Sequence, residues 1–71
     1  DDMEARYQLG ASYVLNDRME DALEAFMYIL QHDRTFRDDI GRKSLLAAFV
    51  LLGDEGDLVN NYRRKLFTAM H

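Results

Sequence analysis

Apolar positions recur along this chain at helical spacing, in four runs separated by short polar breaks. The first run closes at about Leu15; turning roughly 100° per residue, it gathers Arg6, Leu9, Gly10 and Tyr13 on one side and Glu4, Tyr7, Ala11, Val14 and Leu15 on another. Asp1, Asp2 and Glu4 stand at its start, where carboxylates complement free N–H groups and the positive end of the helix dipole. After a break at Asn16-Asp17-Arg18, Asp17 and Glu20 have capping-box spacing and predict the start of a second helix that runs to about His32. Its expected buried stripe is Met19, Ala22, Leu23, Phe26, Ile29 and Leu30, with Glu20, Asp21, Glu24 and Gln31 in water and Tyr28 among the polar positions.

Thr35 and Asp38 offer a cap for a third helix over about Phe36 to Leu52, closed by Gly53 in the left-handed conformation that suits a residue following a helix. Its second half, Leu45 to Leu52, is apolar on every side, which predicts a helix either central to the domain or docked onto another surface. Asp57 is the expected cap of a fourth helix, about Leu58 to Met70, with a core stripe of Leu58, Val59, Tyr62, Leu66 and Ala69. Phe67 falls roughly 100° from the middle of that stripe, beside Asn60, Arg63 and Arg64. An aromatic flanked by arginines is a docking pattern. The same cations also serve to offset the negative dipole end of their own helix.

With 71 residues, no proline and 48% hydrophobic residues, the chain reads as one small all-α domain that needs neighbours or very regular packing. No apolar run is long enough to span a bilayer and no signal segment opens the chain, so a soluble domain without membrane contact is expected. Asp1 in place of Met suggests that the chain is a segment of something longer. A net charge of −4 sets it against phosphate backbones, and nucleic acid is not expected as a partner.

Chemistry is hard to assemble from these residues. There is no cysteine, and Ser12 and Ser44 fall mid-helix with no base at a useful spacing. His32 at a helix end suits the dipole better than a metal, and the four glycines make no phosphate-cradling loop. The acidic turn Gly53-Asp54-Glu55-Gly56-Asp57 is too short for a calcium loop. Neither catalysis nor a cofactor nor a metal is expected.

Leu9, Gly10, Tyr13, Ala22 and Phe26 resemble the packing set of a tetratricopeptide repeat, with Arg6 at the usual tryptophan place and Arg34 at the closing proline place. Gly10 removes bulk where two helices press closest. A shift of about 36 residues, near the roughly 34-residue period of this repeat class, pairs Leu15 with Leu51, Leu23 with Val59, Phe26 with Tyr62 and Leu30 with Leu66. It also places Leu46 at the position of Gly10, so the second hairpin should close less tightly. The expected architecture is four antiparallel helices in two repeats, 1–34 and 35–71, within one α-α superhelical domain.

Ala5-Arg-Tyr-Gln-Leu-Gly, Glu20-Asp-Ala-Leu-Glu-Ala, the segment from Asp33 to Leu46 and Asn61-Tyr-Arg-Arg-Lys-Leu together resemble the C-terminal repeat domain of the bacterial chaperedoxins, YbbN-like thioredoxin-fold co-chaperones. That resemblance implies a cytoplasmic, non-catalytic protein-interaction module that binds a chaperonin or unfolded clients. The last helix would contact the chaperonin through Arg63, Arg64, Phe67 and Met70. The family's inner groove would fall on Tyr7, Ala11, Val14, Lys43 and Ala47, which suits apolar contact better than an acidic tail. The alternative is a structural role, capping a solenoid or self-associating, in which Tyr7 and Val14 merely touch another helix pair.

Overall fold

A computed structural model describes residues 2–71. Asp1, expected above to help open the first helix, lies outside the described residues. The rest form α1 (Met3–Leu15), α2 (Met19–His32), α3 (Ile40–Leu51) and α4 (Asp57–Met70), with no strand among the described residues. The fold is all-α, as the periodicity predicts.

The helix ends follow the predicted chemistry in some places and depart from it in others. Asp2 caps α1, its carboxylate accepting from the Ala5 N–H at 3.1 Å. Asp17 does not cap α2. It sits at φ 58, with its N–H donating to the Val14 carbonyl at 3.1 Å and the Arg18 N–H donating to the Tyr13 carbonyl at 2.8 Å. This is a Schellman closure of α1. A left-handed residue cannot also offer the extended backbone of an N-cap, so Arg18 takes that place with no side-chain capping bond. The short connection must reverse the chain at once, and closing α1 wins over capping α2.

α3 begins at Ile40 rather than Phe36, and the expected Thr35–Asp38 cap is not formed. Arg37, Asp38 and Asp39 have φ of 46, 58 and 68, so the backbone passes through the left-handed region three times in succession. Each such residue costs on the order of 1–2 kcal/mol. Ion pairs offset part of that: Arg37 reaches Glu4 on α1 at 3.1 Å, Arg42 reaches Asp39 at 2.6 Å and Lys43 reaches Asp38 at 3.1 Å. Gly53, at φ 85, closes α3 in a second Schellman arrangement, as expected. Asp57 is the first residue of α4 instead of its cap, a place taken by Gly56 at φ 103.

The central helix is α2, not α3. Ala22, Leu23, Ala25, Phe26, Met27, Ile29 and Leu30 are all buried, whereas Met19 is only half-buried. α1 and α3 both lie against α2, α4 touches it more lightly, and α3 and α4 scarcely approach each other. The looser second hairpin agrees with Leu46 standing where Gly10 stands in the first. Two glycines set the close approaches. A Cβ on Gly10 would meet Phe26 Cε1 at 2.5 Å, and one on Gly41 would meet the backbone N of Leu30 at 3.0 Å and the Phe26 carbonyl oxygen at 3.3 Å. Leu9, expected against α2, is half-exposed instead, because the contact is made by the glycine beside it.

Gly10→Ala should lower stability by about 1–2 kcal/mol, since overpacking against the buried Phe26 ring outweighs the better helix propensity of alanine; a urea midpoint at or above that of the parent would contradict this packing. For Asp17→Gly the two accounts of the first turn differ in sign. Relief of the left-handed strain should raise stability by about 0.5–1 kcal/mol, whereas loss of an N-cap would lower it by about 1 kcal/mol.

Candidate functional site

α1 and α3 lie side by side on α2 and leave an open cleft of about 340 Å³ between them. Tyr7, Ala11 and Val14 supply one wall and Ser44 and Ala47 the other, over a floor of Phe26 and Ala48. Leu15 and Leu51 line its end and are 87% and 67% exposed. Four of the five groove positions expected from sequence therefore come together. The fifth, Lys43, does not line the cleft, because its ammonium is 3.1 Å from Asp38 in the left-handed turn. Phe26 was legible only as core, and Ala48 only as part of the apolar run Leu45 to Leu52. That a core aromatic also floors a cleft follows from Gly10, which leaves the face of α1 beside the ring bare. Tyr7 approaches the same ring, with centroids 6.2 Å apart, and carries the Arg37 guanidinium 5.1 Å from its own centroid.

The four positions expected on α4 do not share one environment. Phe67 is 66% exposed and lies 4.3 Å from the His71 ring. Arg63 is 3.1 Å from Asp54 and 5.3 Å from the centroid of the buried Phe49, so it ties the α3–α4 turn to the core. Met70 is half-buried, its Sδ 3.2 Å from Arg34 Nη2. Arg64 is exposed and lines a second cleft, between α2 and α4. The apolar half of α3 is likewise divided: Leu45, Ala48 and Phe49 are buried, while Val50 is 66% exposed and Leu46 lies partly open beside it.

Among the described residues, no group of three or more His, Cys, Asp or Glu is placed to hold a metal. Tyr28, expected among the polar positions, is half-buried, with the His32 ring stacked at 3.8 Å and the Arg6 guanidinium 3.9 Å from its centroid. Arg6 thus fills the expected tryptophan place by covering an aromatic of α2.

A family model for the tetratricopeptide repeat matches residues 1–71. The chain belongs to that family. Tetratricopeptide repeats are protein-interaction folds, and the cleft between α1 and α3, the first helices of successive hairpins, is the surface that such stacking creates. No curated protein and no solved structure matches the chain. No helix among the described residues of this repeat protein is long and apolar enough to cross a membrane.

Polar contacts to Glu24 help to hold α4 to α2. The Tyr62 hydroxyl, on a buried ring, donates to Glu24, with Lys65 3.7 Å from the same carboxylate. Burial first, then the hydrogen bond and the negative charge of Glu24, push the Tyr62 phenol well above its ordinary value. The folded state therefore holds this proton more tightly than the unfolded chain, whose phenol ionises near pH 10. The stabilisation is present in full below that pH and is lost as pH rises toward the folded value. Tyr62→Phe should lower stability by about 1 kcal/mol at neutral pH and show less alkaline destabilisation than the parent; parallel curves for both proteins above about pH 10 would contradict this assignment.

Proposed function

We propose that this repeat domain is a non-catalytic docking module, its two hairpins 1–34 and 35–71 working as one unit, and that the α1/α3 cleft takes an apolar helix or unfolded segment of another protein. The carrying observation is the cleft itself, walled by Tyr7, Ala11, Val14 and Ala47 and open at Leu15 and Leu51. An open apolar trough suits the side chains of one face of a helix or of an extended segment. The likeness of the Asp33 to Leu46 segment to chaperedoxins supports a place in a cytoplasmic thioredoxin-fold co-chaperone, with unfolded clients in the cleft and a chaperonin as second partner. The exposed Phe67 is the natural anchor for that second contact, with Arg63, Arg64 and Met70 as further contacts on the same helix although their side chains lie in different surroundings.

Leu46 and Val50, uncovered on α3, favour a second reading in which the domain stacks on another copy or another hairpin. Sedimentation across a concentration series separates the two, because a monomer at all concentrations removes self-association. Ala47→Arg fills the cleft at a surface position and should weaken binding of a labelled unfolded client on the order of tenfold or more, with an unchanged helical spectrum. Phe67→Ala should leave that binding intact and reduce chaperonin capture. Client binding unaffected by Ala47→Arg would remove the cleft from this account.

A further inference from the structure

The second cleft, between α2 and α4, has a different chemistry. It encloses about 530 Å³, and its charged lining is entirely cationic: Arg34, Arg64 and Lys65, with Thr68 among them and Leu30 and Ala69 supplying apolar surface. In a chain with 13 acidic and 9 basic residues, a third of the basic ones converge here. Part of that charge is used within the molecule. Arg34 donates to the Met70 carbonyl at 3.5 Å at the C-terminal end of α4, where a cation offsets the dipole, and Lys65 lies 3.7 Å from Glu24. Arg64 makes no ion pair among the described residues and extends from the exposed side of α4. Asp38 and Asp39, which share a neighbouring pocket with Arg34, are themselves paired with Lys43 and Arg42. One carboxylate and one helix end do not neutralise three cations, so the cleft keeps a positive field inside an otherwise negative molecule.

We infer that the α2/α4 cleft docks a short acidic segment of a partner protein. With no ion pair among the described residues, the Arg64 guanidinium can take a carboxylate as a fork, and Arg34 and Lys65 supply the field around it. Leu30 and Ala69 receive an apolar side chain between the acids. A protein segment fits better than a nucleic acid. A polyphosphate would run beyond three cations into the field of a chain carrying net charge −4, with Glu20 and Glu24 exposed along α2. The inference rests on the chain being a protein-binding module but not on the α1/α3 cleft, which other helices build.

The probe is a short fluorescein-labelled peptide of repeated Glu-Glu-Leu, followed by anisotropy at low and physiological salt, beside the same peptide with Gln for Glu and a labelled oligothymidine. The Glu peptide should bind, weaken with salt, and lose affinity on the order of tenfold both in Arg64→Glu and when Gln replaces Glu. Arg64 is exposed and makes no ion pair among the described residues, so this variant should keep its helical spectrum. Ala47→Arg should bind the peptide as the parent does, which separates failure here from failure of the α1/α3 cleft. No binding, equal affinity for the Gln peptide, insensitivity to Arg64→Glu, loss in Ala47→Arg, or tighter binding of oligothymidine would each overturn the assignment.

Discussion

The turn of α2 from Phe26 to Leu30 is pinched between two glycines, and the rest of the molecule depends on that pinch. Gly10 on α1 lies against the Phe26 ring, and Gly41 on α3 lies against the backbone of the same turn. With no Cβ on either side, both helices press onto α2 at one level, and dispersion contacts around Phe26, Ile29 and Leu30 are made from two directions. Full burial of each such side chain contributes about 1.5–3 kcal/mol. A chain this short has few other places from which to draw stability. α4 is more loosely held, through Val59, Tyr62 and Leu66 and the hydroxyl contact to Glu24.

The same pinch makes the cleft. Because α1 and α3 both converge on α2, their outer faces diverge above it, and the ring of Phe26 is left as the floor. The left-handed run of Arg37, Asp38 and Asp39 delivers α3 to that position, and Arg37 fastens the run to Glu4 on α1. The strain lies in a segment whose side chains tie the two walls together, which makes the wall spacing a property of the turn as much as of the core.

The surface carries two clefts of different chemistry. α1 and α3 present an apolar trough, and the cations of the other cleft come from α4 and from Arg34 just past the end of α2. Phe67, on α4 away from the core stripe, stands apart from both linings.

Periodicity alone determined the number of helices, most of their limits and the buried face of α2, because an amphipathic stripe can be satisfied in only one way. Gly10 and Phe26 as partners, and a groove on Tyr7, Ala11, Val14 and Ala47, were legible only through the resemblance to a tetratricopeptide repeat, since periodicity shows that positions share a helix face but not what that face meets. The starts of α2 and α3 were not legible: Asp17 and Asp38 look like caps one residue at a time, and only the path between helices decides that they turn left-handed instead. Nor could sequence rank the helices, since α3 is more apolar than α2 yet lies at the edge. Centrality belongs to whichever helix the glycines allow two neighbours to reach. The cationic cleft brings Arg34 together with Arg64 and Lys65 from the far end of the chain, and no local pattern records a meeting that distant.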